Sequence, residues 1–333
     1  MARLNKTKPK KREQKQMYKK LGETTLKSGE LMEVGVVTTP DLDYADELGE
    51  FLGHKPDHYK WHIDQCLQKT LDQLETRFYI GKLNGQIISN IMTTEFEGIG
   101  ILGHVFTLPD QRRKGACKGI MTYQMEDFVS RSGRMLYLGT GYDSAPYWIY
   151  HYFGFRSVYP ESGFMKYSAH IDSETKHFFF SESNVKEVEW KDWSNLTALM
   201  GIVDGTYFRS TIYDIKGPTN FESGFLRLKH NLQIKPNHYK SLLLKTGNGA
   251  IVAFAHLDVS NNEKAYLDLF SHPSFWSQTP KLITEMEFPP DARVICETGY
   301  EDYERIAVLE QTDFKQKSHY ETEDGRQILI FEN

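Results

Sequence analysis

The stretch PDQRRKGACKGIM, residues 109–121, decides how the rest of the chain is read. It joins an apolar run, ILGHVFTL (101–108), to an amphipathic segment, ACKGIMTYQMEDFV (116–129). The run reads as a strand and the segment as a helix. Two arginines, a lysine and a glycine therefore fall at a strand-to-helix turn. The first N–H groups of a helix have no carbonyl partner inside it, and the aligned peptide dipoles add partial positive charge there. A flexible cationic turn at that point is an arrangement suited to hold a phosphate-like anion.

Upstream of the turn, FYIGKLNG (78–85) precedes IISNIM (87–92). Asn-Gly between two apolar, β-rich runs is the strongest short signal for a hairpin. A second such unit follows, with SLLLKTGNG (241–249) before IVAFAH (251–256). Asn84/Asn248, Gly85/Gly249, Ile87/Ile251, Phe106/Phe270 and Pro109/Pro273 are each 164 positions apart. The match resumes at LGTGYD (138–143) and CETGYED (296–302) with an offset of 158. The six residues lost between them fall in the territory of the cationic turn, where the second unit has FWSQTPKL (275–282). The pattern reads as one scaffold used twice, its anion turn kept only in the first copy.

The remaining order of elements predicts an α+β fold of two units, each a mixed, mostly antiparallel twisted sheet flanked by helices. In the first unit, strands are expected near 33–38, 77–83, 86–96, 101–108, 134–140, 155–158 and 163–168. Helices are expected near 40–52, 56–73, 116–131 and 144–153. Residues 1–30 read as a basic, unstructured arm, 31–170 as the first domain, 171–184 as a linker and 185–333 as the second domain.

Composition narrows the function classes. A chain of 333 residues with 40 Lys and Arg against 45 Asp and Glu is no polycation. The first twenty residues, with nine Lys or Arg against Glu13 alone, are the exception and read as a solvated arm or as a contact for RNA or another polyanion. Cys66, Cys117 and Cys296 are odd in number and far apart, which fits free thiols in a reducing, cytoplasmic setting. Nothing approaches the roughly 20 apolar residues of a membrane span. His58 and His62 lie one helical turn apart, but no third ligand follows at metal-site spacing, and no metal is expected.

The turn and the segment after it resemble the GNAT superfamily of acetyl-CoA-dependent N-acyltransferases. That family's pyrophosphate loop, [Q/R]-x-x-G-x-[G/A], is met by Arg112, Arg113, Lys114, Gly115 and Ala116, with Cys117 in place of the final small residue. The family's helix motif N-x-x-A-x-x-[L/I]-Y-x-x-x-G-F meets Asp143, Pro146, Ile149, Tyr150, Gly154 and Phe155, with Asp for Asn and Pro for Ala. In the second half Asp313-Phe314 stands at the corresponding Gly-Phe, as in a degenerate second copy.

The resemblance implies acetyl-CoA as co-substrate and acetyl transfer to an amine by direct attack in a ternary complex. The pyrophosphate would be held by the backbone from Arg113 to Ala116, with Arg112, Lys114, Cys117, Lys118 and Asp143 beside it. Val105, Phe106 and Thr107 would pair with the pantetheine arm like an added strand. Tyr150 takes the family's general-acid position, since a phenol can protonate a departing thiolate. His104 is the candidate base, with Glu95 and Glu97 as rivals. Tyr59, Trp61 and Glu95 are expected at the acceptor, a small-molecule or protein amine. A CoA-binding module without catalysis is the competing reading.

Overall fold

The computed structural model describes residues 18–260 and 264–333, so most of the basic arm lies outside the described residues. The first sheet has eight strands in the order β1-β2-β3-β4-β5-β6-β8-β7. Strand β1 (Tyr18–Thr25) precedes β2 (Leu31–Thr38), β3 (Glu75–Leu83), β4 (Gln86–Phe96) and β5 (Ile99–Thr107) in an antiparallel meander. Strand β6 (Met135–Gly139) joins β5 in parallel, and β7 (Arg156–Ser157) and β8 (Phe164–Ser168) close the sheet antiparallel. Helices α1 (Ala45–Phe51) and α2 (Asp57–Gln68) cross from β2 to β3, α3 (Ala116–Ser130) from β5 to β6, and α4 (Ala145–Tyr152) follows β6. Asn84 and Gly85 both take positive φ, as the two-residue β3–β4 hairpin requires.

Two expectations change at the ends of this unit. Tyr18–Thr25 is a strand, although it falls in the stretch read as an unstructured arm. Its lysines point outward while Tyr18 donates to Glu33 at 2.6 Å, so edge pairing offsets the charged composition. The expected linker 171–184 holds a short helix α5 (Ser173–His177) and the start of β9 (Ser183–Glu187).

Beyond β9 come α6 (Trp193–Met200), β10 (Phe208–Ser210), β11 (Ile215–Lys216), α7 (Glu222–Ile234), β12 (Tyr239–Thr246) and β13 (Ile251–Asp258). Then follow β14 (Lys264–Ser271), α8 (Pro280–Glu285), β15 (Arg293–Gly299), α9 (Tyr303–Gln311), β16 (Lys315–Glu321) and β17 (Gln327–Glu332). The second sheet runs β9-β12-β13-β14-β15-β17-β16, the same order as β2 to β7 of the first, again with a single parallel pair, β14 with β15. Its hairpin differs in detail. Thr246 N–H donates to Ala250 O, and only Gly249 takes positive φ, so the β12–β13 turn is longer than the β3–β4 turn.

One face of the first sheet is covered by α3, where Met32, Val34, Tyr79, Ile91 and Leu102 meet Ile120, Met121 and Phe128. The other face is not closed by its own helices alone. Phe78, Ile80, Met92 and Ile101 share a continuous core with Trp193, Leu196, Leu199, Phe225 and Phe254 of the second unit. Every residue of α6 is buried, and α6 lies between the sheets, against β4, β5 and β6 on one side and β13 on the other. A helix buried on every side, here with Ser194, Asn195 and Thr197 among its apolar residues, belongs between two layers. No helix among the described residues is long and apolar enough to cross a membrane.

Candidate active site

Strands β5 and β6 pair only over Ile99–Ile101 and Met135–Tyr137. Past that point they part, and the rest of β5 has no strand on its β6 side. The β4–β5 ladder shifts between Asn90 and Met92, and His104 takes φ 49, so a bulge sits at His104 and Val105. A bulge bends its strand and re-aims the side chains beside it. Here it turns both Gly103 and His104 toward α2 and the second unit: Gly103 abuts Glu222 and the His104 ring lies 5.0 Å edge-on from Tyr59. Val105, Phe106 and Thr107 follow on the splayed end, half-buried, with Phe106 against Phe51 and His54.

The cationic turn lies just beyond. Arg113 has φ 63 and Gly115 φ 95, and a Cβ at Gly115 would meet no atom within 4 Å. Among the described residues no carbonyl accepts from the N–H groups of Arg113, Lys114 or Gly115. The carbonyl of Lys114 accepts from Lys27 N at 2.9 Å, which pins the turn to the β1–β2 loop. Arg112 reaches back, its Nε donating to Thr107 O at 3.1 Å, and its guanidinium lies 5.8 Å from the Phe106 ring centre. The ammonium of Lys118 sits 3.8 Å over the Tyr152 ring. Burial pushes the Cys117 thiol up to about 11, so it stays protonated at neutral pH and is no nucleophile.

Ser144 caps α4, accepting from Tyr147 N at 3.3 Å, and so fixes the register that turns Tyr150 inward. Tyr150 is 5% exposed. Burial raises its phenol, as do Cys117 and Glu222 within electrostatic reach, and this keeps the proton in place.

Opposite the turn lies a cluster that the sequence only half reveals. His104 is buried with no partner for Nε2, and His62 is buried with both ring nitrogens unpartnered. Burial, helped by His62, Lys55, His58 and His54, holds His104 well below the usual imidazole value. Such a ring is neutral but a weak proton acceptor. Burial likewise lowers Lys55 and raises Tyr59.

The missed residue is Glu222, the first residue of α7. Its Oε1 lies 2.6 Å from where a Cβ of Gly103 would stand, and Asn220 Nδ2 lies 3.0 Å from the corresponding point at Gly139. Two glycines, one on each splayed strand, thus leave room for two side chains of the second unit. Asn220 donates to Glu222 at 3.3 Å. Glu222 keeps some access to the cleft but is enclosed by protein, and burial raises its carboxyl to about 7 against the opposing pull of Asn220 and Lys55. No local motif marks it; the glutamate is one of many in the sequence.

Three expected residues, Trp61, Glu95 and Glu97, lie elsewhere. Trp61 packs 5.3 Å from Trp190 and 5.2 Å from His230, so it is glue between α2 and the second unit. Glu95 is buried under Arg131, whose NH1 donates at 2.7 Å and NH2 at 3.0 Å. It pairs with Gly100, four residues and about 13 Å along β5 from the bulge. Glu97 is at the same remote end, against Gly249 of the second hairpin. Asp143 is exposed and accepts from Trp148 Nε1 at 2.8 Å, in a local turn before α4. Among the described residues no three His, Cys, Asp or Glu side chains converge as a metal site.

In the second unit the chain itself covers the position of His104, while a cavity of about 660 Å³ lined by Phe208, Pro273, Trp276, Gly299 and Tyr300 lies where β14 and β15 end. The β13–β14 ladder has no register shift, and Asp268, at the position of His104, accepts from Thr211 N at 2.7 Å and from Ser210. Arg209 of β10 and Arg305 of α9, both buried, donate to the carbonyls of Ile202 and Phe208 respectively at 2.6 Å each. By sequence offset Val308 or Leu309, both buried on α9, corresponds to Tyr150.

No protein-family model matches the chain, and no curated protein matches it. Solved structures do. A GNAT-family acetyltransferase from Bacillus cereus ATCC 10987 is 13% identical with a TM-score of 0.34, over 46% of this chain and 97% of that one. The spermidine N-acetyltransferase from Vibrio cholerae in complex with CoA and spermine is 13% identical with a TM-score of 0.35, over 46% and 96%. The ribosomal-protein-S18-alanine N-acetyltransferase from Escherichia coli is 21% identical with a TM-score of 0.32, over 45% and 92%. With identities and scores this low, the chain's chemistry is read from its own site.

Proposed function

We propose that this protein is an N-acetyltransferase that moves the acetyl group of acetyl-CoA to a primary amine by direct attack in a ternary complex. The observation that carries the reading is the bulged, splayed end of β5, with an unpartnered N–H turn at its tip and a buried phenol nearby. Residues 112–118 would hold the diphosphate through backbone N–H groups, the dipole of α3 and the side chains of Arg113 and Lys114. The free edge of Val105 to Thr107 would take the pantetheine amides as a strand takes a neighbour. A backbone N–H there would polarise the thioester carbonyl, the role of an oxyanion donor. Tyr150 would supply the proton for the departing thiolate.

The first measurement is calorimetry of CoA binding to the full chain, paired with thiol release from acetyl-CoA over a panel of primary amines. The panel spans a polyamine, a lysine-containing peptide and a peptide with a free α-amine. Binding with amine-dependent thiol release supports the reading. Tight CoA binding without turnover on any amine would make the protein a CoA-binding module, and no heat of binding would end both readings.

A further inference from the structure

We propose that Glu222, carried by the second unit, is the base that removes the proton from the acceptor amine in the first unit's site. The inference rests on the acetyl-transfer reading above. Its geometric basis is the pair of glycines on the splayed strands. Gly103 on β5 leaves the space that the Glu222 carboxylate fills, and Gly139 on β6 leaves the space for Asn220. Both side chains come from the segment that enters α7, so the second unit reaches into the gap between β5 and β6. The carboxylate stands on the α2 face of the sheet and the anion turn lies at the head of α3, which covers the other face. An amine approaching from the α2 side therefore meets Glu222 at the place where the strands part.

The chemistry favours this carboxylate over its rivals. His104 is buried among Lys55, His54, His58 and His62, and its neutral ring resists a second proton. Glu95 is held by Arg131 at the far end of β4. A general base works best when its own titration lies near the working pH, and Glu222, raised to about 7, meets that condition. The groups facing it are Lys55 and Tyr59 from the α2 side, Tyr150 from α4, and Asn220 from its own segment, with His104 next to Gly103 on β5.

The step balances as follows. The acceptor enters as an ammonium and Glu222 takes one of its protons. The neutral nitrogen forms the new C–N bond at the thioester carbon, its second proton passes to water, and the C–S bond breaks. The thiolate takes the Tyr150 proton, which water restores, and Glu222 returns its proton to solvent. One amide, one thiol and one released proton result. The second unit then has a chemical part in the reaction in addition to its packing.

The test uses the full chain, after CoA binding and turnover of the wild type are established. In Glu222→Gln, kcat should fall about 10²-fold while the KM for acetyl-CoA stays within about threefold. The acid limb of the kcat/KM profile, expected near pH 7, should vanish. Formate should restore part of the activity of Glu222→Ala and none of that of Glu222→Gln. In the free protein, without acetyl-CoA, carboxyl carbon NMR should show one glutamate titrating near pH 7 that disappears in Glu222→Gln. If Glu222→Gln keeps its kcat and its acid limb, or if the limb instead vanishes in His104→Gln, the proposal is overturned and the acetyl-transfer reading stands. A wild type that binds no CoA overturns both.

Discussion

At Gly103 a methyl group would stand 2.6 Å from the carboxylate of Glu222, and this single missing carbon determines what the cleft contains. The same carboxylate has a cost in stability. Its titration in the fold is raised to about 7 from an ordinary 4.5. Between those values the folded chain binds the proton more tightly than the unfolded chain, so stability falls as pH rises through that window. The contribution is full below pH 4.5 and lost above about 7. Glu222→Gln should therefore match the wild type near pH 4.5 and exceed it at pH 8 by about 3 kcal/mol, checked by urea denaturation at both pH values. For Tyr150→Phe, kcat should drop about 10²-fold with CoA affinity unchanged in calorimetry, because the substitution removes a proton and leaves the packing. Tyr150 and the turn at 112–117 were legible in the sequence because a motif is local. Glu222 was not, since its partners lie on β5 and α4, more than a hundred positions away for Gly103.

At the scale of elements, the strand that carries the site in the first unit differs from its counterpart in the second by one bulged residue. β14 pairs with β13 in unbroken register, while β5 carries the bulge at His104. Both strands part from their parallel neighbour after three residue pairs, and in the second unit β10 packs against β14. The hairpin in each unit and the strand after it that ends at a proline were expected from the 164-residue offset. The bulge was not, because HVF and DLF carry no local turn signal. Helix α3 also depends on a long-range tie. Arg131 at its end binds Glu95 through two hydrogen bonds and Asp127 at 2.9 Å, and Tyr79 donates to Asp127 at 2.7 Å. Removing the guanidinium leaves the Glu95 carboxylate buried without a counter-charge. Arg131→Ala should cost about 3 kcal/mol or more, measured by the shift of the urea midpoint.

At the scale of the whole molecule, α6 and α7 are core for both sheets. A fragment ending at residue 170 would expose Phe78, Ile80, Met92 and Ile101 on one face. Burial of each such side chain is worth about 1.5–3 kcal/mol, so the loss of several exceeds the net stability of a domain. The full chain should melt in a single calorimetric transition, and the fragment 1–170 should be aggregated or unfolded by sedimentation and circular dichroism. Two separate transitions, or a monomeric folded fragment, would show that the units are independent.

The sequence by itself determined the two-unit α+β order, the hairpins, the cationic turn between strand and helix, and the helix that carries Tyr150. Each of these is written in neighbouring residues, as a period, a turn pair or a short spaced motif. Tertiary structure alone decided that Trp61 and Glu95 pack in the scaffold, that the second unit's own chain covers Asp268, and that Glu222 reaches Gly103 of the first unit. Those outcomes depend on which faces meet across the shared core, and the burial and charge environment created there has no counterpart in the linear order of residues.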